Sequence, residues 1–389
     1  MDLKEIRKEN ELVDLFCNLA EIPSPSLKEK NVSDYILKFC SENNIDAKYD
    51  SYENVYINIP ATDPSKQSIL LSSHMDVIGD DSPVKTYVDE ENQIHAEGRT
   101  LGADDKAGVA NALYFAKYLA NTPDIKHGGL EIVFTRDEES GMSGIHNLDF
   151  NLIHSKYALV LDSDSLGQFM TSGASYTLAT ISVHSFKGGH SGIDIGDKTR
   201  ENAAKLIADL LSDLPQGVFH ADENGDVITS CNLGGIEAGK LSVTNIINID
   251  AKATYSIRSS SREYEEELKN LMKYQVEDFN QRYKDTAKAE IVFEQHLPPF
   301  EKSWDNYIPQ MFEAAANACG VKAETGSFHA GAETHIYANH LNGNGDKFVP
   351  FLVGLADVHN MHSAEENVNY PSMIKGQEIL RKFFEDFNK

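Results

Sequence analysis

The sequence is short of positive charge, and this shortage excludes two classes of partner. Its 35 lysine and arginine residues stand against 61 aspartate and glutamate residues, so the formal net charge is -26 at pH 7. A surface of this sign repels phosphate backbones and anionic lipid headgroups. We therefore expect no nucleic-acid partner and no acidic membrane partner, whereas acid-rich patches could hold metal ions.

Cysteine is also scarce, and the few cysteines lie far apart without a Cys-x-x-Cys pair: Cys17, Cys40, Cys231 and Cys319. This spacing offers no disulfide framework and no thiolate zinc site, and it is typical of reduced thiols in the cytoplasm. The charged N-terminal segment, residues 1–10, shows no secretion signal. No apolar run approaches the ~18 residues of a membrane span. We expect a cytoplasmic protein without a membrane segment.

The order of predicted elements in the first part of the chain indicates an α/β layer fold. Helices are predicted over residues 3–19, 27–43 and 109–119, and strands over residues 47–52, 54–59, 68–73, 130–135 and 157–161. Strands that alternate with helices in this way are typical of a mixed, largely parallel sheet sandwiched by helices.

A change of pattern near residue 176 indicates a second, inserted domain. Alternating stretches over residues 177–185 and 246–257 flank predicted helices over residues 202–213 and 262–282, in an order that suits a small α+β domain. The chain then returns near residues 290–293, with a predicted strand over residues 347–353 and predicted helices over residues 307–318 and 372–387. We predict a discontinuous domain of residues 1–177 and 294–389, and an inserted domain of residues 178–293.

Two adjacent acids, Asp104 and Asp105, lie in a glycine-flanked turn before a predicted helix. Like charges in a turn repel each other, so one of the two is expected to need a cation. The alternative is that no cation is bound, with one of the two acids capping the helix and the other exposed to solvent.

Three predicted strands lead directly into acids or a histidine, and these residues should meet in space. His74 and Asp76 follow one strand, Glu138 and Glu139 a second, and Asp162 a third. Ligands of open α/β sheets collect at the carboxyl ends of strands. Side chains two apart on an extended chain share a face, so Asp76 can orient the ring of His74.

The acids and histidines form a ligand set without thiolate: His74, Asp104, Glu139, Asp162 and His362. Such a set suits two Zn²⁺, Mn²⁺ or Co²⁺ ions about 3.5–4 Å apart, with Asp104 able to bridge them. Neighbouring side chains diverge, so Glu139 can bind metal while Glu138 acts as general base on a metal-bound water. A solvated acidic loop is the alternative for this pair of glutamates.

The motifs occur in the order His-x-Asp, Gly-x-Asp-x-Lys-x-Gly, Glu-Glu, Asp and a late His-Ser. This order resembles the co-catalytic dinuclear metallopeptidases, a family that includes peptidase T, the Xaa-His dipeptidases, carboxypeptidase G and the aminoacylases. Peptidase T-like members resemble it best, through Leu-Gly-Ala-Asp-Asp-Lys-Ala-Gly and Tyr-Ser-Ile-Arg-Ser-Ser. The resemblance covers nearly the whole chain.

The resemblance implies a zinc exopeptidase-like catalytic domain and a ferredoxin-like lid or dimerisation domain. It implies two metal ions bridged by Asp104, each held by one further acid and one histidine: His74 with Asp162, and His362 with Glu139. It gives Asp76 the role of orienting His74, and Glu138 the roles of base and proton shuttle. It also implies a cis peptide bond between Asp104 and Asp105.

The resemblance extends to candidate residues of the inserted domain. His190, in Gly-Gly-His-Ser-Gly, would reach the active site of the partner in a homodimer and stabilise the oxyanion. Asn245 and Arg258 match substrate-binding positions, and the planar fork of Arg258 suits a peptide carboxylate. A surface ion pair is the alternative for Arg258.

One loop departs from the peptidase T pattern and affects the expected substrate. It contains His329-Ala-Gly-Ala-Glu333, which looks more like the Xaa-His dipeptidases. Glu333 is a candidate for binding the free amine of the peptide, and His329 for assisting the oxyanion.

The prediction is thus metal-dependent hydrolysis of tripeptides or dipeptides. An N-acyl amino acid amidohydrolase or an Xaa-His dipeptidase on the same centre is the alternative. A non-catalytic metal- or peptide-binding protein is less favoured, because Glu138 and all five ligands are present.

Overall fold

The computed structural model describes residues 2–223, 225, 227–303 and 306–389. Its α-helices are α1 Leu3–Glu9, α2 Glu11–Ala20, α3 Lys30–Glu42, α4 Ala103–Ala120, α5 Glu138–Gly141, α6 Ser143–His146, α7 Ala203–Asp213, α8 Arg262–Arg282, α9 Tyr307–Ala318, α10 Thr334–Ala338 and α11 Tyr370–Phe387. A short 3-10 helix spans Phe150–Leu152. No helix in these ranges is both long and apolar enough to cross a membrane.

The strands form one large sheet, one medium sheet and two small ones. They are β1 Asp46–Tyr49, β2 Val55–Ile59, β3 Ile69–His74, β4 Thr86–Val88, β5 Gln93–Ala96, β6 Leu130–Thr135, β7 Tyr157–Val160, β8 Gln168–Gly173, β9 Tyr176–Ser185, β10 Gly189–His190, β11 Gly217–Ala221, β12 Ile228–Ala238, β13 Ile246–Ile247, β14 Asp250–Ser259, β15 Ala287–Leu297, β16 Glu324–Phe328, β17 Val349–Val353, β18 Val358–His359 and β19 Asn367–Asn369.

The chain divides into two compact units. The first comprises Met1–Thr171, Ser303–Gly326 and Ala332–Lys389, and the second comprises Ser172–Lys302 and Ser327–Gly331. The function of the second unit as a lid or dimerisation domain stays a prediction.

The first unit is built around an eight-stranded sheet in the order β1-β2-β6-β3-β7-β17-β8-β16. Its centre is parallel, from β6 through β3 and β7 to β17, whereas β1, β2 and β8 pair antiparallel. β3 and β7 are buried along their whole length, as strands covered on both faces are. The predicted mixed α/β fold is confirmed, with the parallel part confined to the centre of the sheet.

Helix α4 packs against β3 and is buried at most of its positions. Its alanine-rich sequence allows this burial on nearly every side, because small side chains let the helix lie close to the sheet and to α2 and α11. The helix predicted over residues 109–119 is part of the longer element Ala103–Ala120, which is interrupted by non-helical dihedrals at Asp104 and Asp105.

The prediction of a single N-terminal helix over residues 3–19 is wrong. The chain leaves the helical conformation at Asn10, where φ is -132° and ψ is 107°. The Asn10 side chain accepts the backbone N–H of Val13 at 3.2 Å and so caps α2. A short polar side chain that hydrogen-bonds to backbone groups is enough to interrupt the helix that the amphipathic pattern predicts.

The second unit contains a five-stranded antiparallel sheet in the order β11-β12-β14-β9-β15, on which α7 and α8 pack. Without β11, this is the strand order of a ferredoxin-like β-α-β-β-α-β unit. The predicted alternating stretch over residues 246–257 is divided in the structure. β13 pairs with β10 in a separate two-stranded ladder, and only β14 joins the sheet.

Candidate metal centre

Parallel pairing brings the candidate ligands to one edge of the large sheet. β3 ends at His74, and its neighbours β6 and β7 run in the same direction. Glu138 and Glu139 follow β6, and Asp162 follows β7. The polar residues after these strands therefore meet at the carboxyl edge.

The turn that carries Asp104 forms the start of α4. Asp104 and Asp105 have non-helical dihedrals, and Gly102 before them has a φ of 76°, which favours glycine. The peptide bond between Asp104 and Asp105 is cis, as the resemblance implied.

The carboxylate of Asp104 stands between two groups of side chains. Its Oδ1 is 3.2 Å from Nε2 of His74, and that nitrogen is 3.7 Å from Oδ1 of Asp162. Its Oδ2 is 3.1 Å from Nε2 of His362, and that nitrogen is 3.1 Å from Oε2 of Glu139. The structure thus brings all five candidate ligands together, with one oxygen of Asp104 turned toward each histidine.

The two histidines differ in exposure. The side chain of His74 is 2% exposed, whereas that of His362 is 51% exposed. Nδ1 of His74 donates to the backbone oxygen of Asp76 at 3.0 Å, which leaves Nε2 free to bind a metal. The centre is therefore closed on the His74 side and accessible on the His362 side.

The charges of the centre fit divalent cations. Burial, reinforced by the neighbouring carboxylates, raises the pKa of Asp162 to about 6, of Glu139 to about 7 and of Glu138 to about 9. A hydrogen bond to Asp104 raises the pKa of His362 to about 9. Oε1 of Glu139 is buried without a partner among the described residues. Carboxylates and imidazoles without thiolate are a donor set that Zn²⁺, Mn²⁺ and Co²⁺ accept.

Asp76 contacts more of the site than its predicted role requires. Its carboxylate is fully buried and accepts the backbone N–H of Glu138 at 2.9 Å and of Glu139 at 3.2 Å. Ser26 Oγ donates to it at 2.7 Å. Its Oδ1 is 3.4 Å from Nδ1 of His74, farther than its own backbone oxygen. The main chain of Asp76 orients His74, and the side chain holds the two glutamates.

Two buried glutamates near the centre were not predicted from the sequence. Glu29 accepts the guanidinium of Arg136 at 2.9 Å and the backbone N–H of Asp137 at 3.1 Å, and so holds the turn before Glu138. Glu366 accepts backbone N–H groups of the turn that carries Asp104. Glu29 stands in an ordinary polar stretch and gives no signal, whereas Glu366 follows the late His-Ser motif by a few residues.

His190 and Asn245 lie next to each other in the second unit. His190 is in β10, where it pairs with Ile246 of β13. Its Nδ1 accepts the backbone N–H of Gly192 at 3.1 Å and of Ile193 at 3.3 Å. In a neutral ring the proton is then on Nε2, which can donate. Asn245 is exposed.

Arg258, His329 and Ser230 form a second group in this unit. Arg258 and Ser230 are cross-strand partners in β14 and β12, and Ser230 Oγ is 2.8 Å from Nε2 of His329. The guanidinium of Arg258 lies over the ring of Tyr176, 4.6 Å from its centroid. Arg258 has no carboxylate partner among the described residues, so the surface ion pair is not observed in that part of the chain.

Glu333 lies in the first unit, just before α10, and is buried. Neither carboxylate oxygen has a hydrogen-bond partner among the described residues. Burial raises the pKa of Glu333 to about 8. A buried carboxyl group without hydrogen-bond partners would be stabilised by a cation that binds next to it.

The model of Peptidase family M20/M25/M40 matches residues 70–386, a segment that includes every candidate metal ligand. The chain belongs to this family. The membership confirms the resemblance to dinuclear metallopeptidases that the ordered motifs implied, and with it the prediction of a metallopeptidase.

Proteins with related sequences include two named peptidases. The cytosol non-specific dipeptidase of Escherichia coli (strain K12) is 28% identical over 299 residues, which cover 67% of this chain and 57% of that protein. Peptidase T of Listeria monocytogenes serotype 4a (strain HCC23) is 29% identical over 239 residues, which cover 58% of this chain and 57% of that protein. The match spans little more than half the length of both relatives.

The crystal structure of aminopeptidase PepT from Bacillus cereus ATCC 10987 is similar over almost the whole length. The TM-score is 0.85 at 23% identity, with coverage of 97% of this chain and 98% of that one. At this identity the similarity establishes the fold.

Proposed function

We propose that this chain is a dinuclear exopeptidase that removes a residue from tripeptides or dipeptides. The observation that carries the proposal is that the two carboxylate oxygens of Asp104 face different histidines. Oδ1 is 3.2 Å from Nε2 of His74, and Oδ2 is 3.1 Å from Nε2 of His362. In this position Asp104 would contribute a ligand to both metal ions.

The ligand assignment follows the two groups around Asp104. His74 and Asp162 would hold one ion, and His362 and Glu139 the other. Zn²⁺ is the favoured ion, with Mn²⁺ or Co²⁺ as alternatives. When bound, such ions polarise a carbonyl and lower the pKa of water to roughly 7.

Glu138 would take up the proton of the attacking water and return it to the leaving amine. Its raised pKa, about 9 through burial, supports a group that can hold a proton near neutral pH. The hydrogen bond from its backbone N–H to Asp76 supports a fixed position. Glu139, its neighbour, is turned toward His362 instead.

The substrate termini would be bound by charged residues. Arg258, unpaired among the described carboxylates and stacked on Tyr176, would bind the peptide carboxylate. Glu333 would bind the free amine, which would compensate its unpartnered carboxyl group. His329 and Asn245 would assist in binding the substrate or its oxyanion.

His190 would act on the active site of a second copy in a homodimer. Its Nε2–H, free to donate, suits an oxyanion. The segments near His190 also expose large apolar side chains, among them Ile193, Leu241 and Ile246. An exposed apolar surface of this kind favours an interface with a second copy of the chain. Sedimentation of the wild type and of Leu241→Lys tests this. A dimer that dissociates in the variant is expected, and a monomeric wild type would contradict it.

We further propose a cytoplasmic location. Cys17, Cys40 and Cys231 are buried free thiols, and Cys319 is a free thiol that is partly exposed. Unpaired cysteines persist in a reducing compartment. Localisation of a tagged chain by fractionation tests this.

The test of the activity is hydrolysis of a peptide panel by metal-loaded wild type and by Glu138→Ala. The panel holds Ala-Ala, β-Ala-His, Ala-Ala-Ala, Gly-Gly-Gly-Gly and N-acetyl-Met. Release of the first residue of Ala-Ala-Ala, lost in the variant, is expected. Preference for β-Ala-His would favour the Xaa-His dipeptidase that the loop at His329 resembles, and turnover of N-acetyl-Met alone would favour an amidohydrolase. No turnover with metal bound would overturn the proposal.

A further inference from the structure

Glu366 is a buried carboxylate that contacts the turn of the bridging aspartate. Its side chain is 1% exposed. Oε2 accepts the backbone N–H of Gly102 at 2.8 Å and the hydroxyl of Thr100, and Oε1 accepts the backbone N–H of Asp104 at 3.2 Å. One side chain therefore satisfies three donors of a single turn.

The same glutamate belongs to the segment of the other ligand. It follows His362 by four residues and stands directly before β19. Glu366 and Asp104 are 262 residues apart in sequence. His362 itself has a φ of 62°, in the left-handed region, and its side chain is half exposed. The position of the His362 side chain therefore depends on the contacts that fix its loop.

We propose that Glu366 is a positioning residue of the metal centre. It fixes the backbone of Asp104 relative to the loop of His362, so that the Asp104 carboxylate keeps one oxygen toward His74 and the other toward His362, the residues that would hold the two metal ions. This inference rests on the proposed dinuclear function. Glu366 itself contacts neither a candidate ligand side chain among those described nor a reacting atom.

A glutamine at this position tests the proposal because it keeps the shape and removes one acceptor. Its amide nitrogen must face either the N–H of Asp104 or the N–H of Gly102, and two donors then oppose each other. Partners that orient metal ligands are typically worth roughly 10–100-fold in metal affinity. We expect Glu366→Gln to bind the second equivalent of Co²⁺ roughly 10–100-fold more weakly.

The experiment compares Co²⁺ titrations of metal-free wild type, Glu366→Gln and Glu365→Gln. Glu365 is the exposed neighbour and loses the same charge. The visible absorption of bound Co²⁺ reports coordination, and thermal unfolding of the metal-free proteins reports stability. A weaker second site and a changed spectrum in Glu366→Gln only are expected. Thr100→Val, which removes the hydroxyl and leaves both backbone contacts, is expected to keep the wild-type spectrum.

A purely structural role would give a different result. Glu366→Gln would then unfold at a lower temperature and still bind two ions with the wild-type affinity and spectrum, which would overturn the proposal. If this variant does not fold, Glu366→Asp, which keeps the charge but is one methylene shorter, is titrated in its place with the same expectation. A wild type that binds fewer than two ions would instead overturn the proposed dinuclear function.

Discussion

Oδ1 of Asp76 lies 2.9 Å from the backbone nitrogen of Glu138. The other carboxylate oxygen accepts the next backbone N–H, that of Glu139, at 3.2 Å. One buried carboxylate therefore holds the candidate base and a candidate metal ligand at the start of the short helix α5. Negative charge at the N-terminal end of a helix is favourable, and a charged acceptor strengthens both hydrogen bonds.

The first prediction concerns this carboxylate. In Asp76→Asn, an amide nitrogen faces one of the two backbone N–H groups, so α5 can no longer be held by both. We expect a loss of roughly 10–100-fold in both metal affinity and kcat. Metal titration and steady-state kinetics measure the two effects. Asp81→Asn is the control, because Asp81 pairs with Lys28 at the exposed surface and should change neither quantity by more than a factor of about two.

The second prediction separates the base from the ligands. Glu138→Gln keeps the size of the side chain and cannot accept a proton, so kcat should fall by roughly 10²–10⁴-fold. The metal content, measured by elemental analysis, should stay at two ions per chain. A variant that loses its metal together with its activity would mean that Glu138 is a ligand.

The third prediction concerns removal of the metal. Without cations, the carboxyl groups of the centre are either protonated or repel one another. Metal binding should therefore stabilise the folded chain. At free metal 100 times above Kd the gain is about 2.7 kcal/mol. Chelation should lower Tm and abolish hydrolysis, and added Zn²⁺ or Co²⁺ should restore both. In Asp104→Asn the Tm difference should largely vanish. An unchanged Tm on chelating the wild type would contradict the prediction.

The fourth prediction concerns a buried ion pair of the second unit. Glu265 accepts the hydroxyls of Ser175 and Thr177, both at 2.6 Å, and the ammonium of Lys269 at 2.6 Å. Burial opposes the charge of Glu265, but these donors outweigh it and lower the pKa of Glu265. A lowered folded pKa adds stability above the unfolded pKa, and that stability is lost as the pH falls through the folded pKa.

Glu265→Gln should therefore destabilise the chain by about 3 kcal/mol at pH 7 and by less at acidic pH. Urea unfolding of both proteins at pH 7 and near pH 4 measures the difference. Glu267→Gln, at an exposed position of the same helix, is the control. A difference that grows as the pH falls would show that the sign of the pKa shift is wrong.

Local sequence pattern predicted the bounds of two helices. The helix predicted over residues 262–282 has these bounds in the structure, and so has the one over 307–318, because each segment carries its own amphipathic face; Ser261 also caps the first of the two. The division at Asn10 was missed because a single capping side chain outweighs the apolar pattern around it.

The order of the motifs, by itself, determined the family and the four residues that meet around Asp104, because these residues lie in short motifs at or beside the ends of strands and helices. Only the tertiary structure decided what holds them. Asp76 and Glu138 are 62 residues apart, and Asp104 and Glu366 are 262 apart. Hydrogen bonds across such distances leave no periodicity in the chain. They follow from which strand ends and loops the sheet brings together, and only the folded chain contains that information.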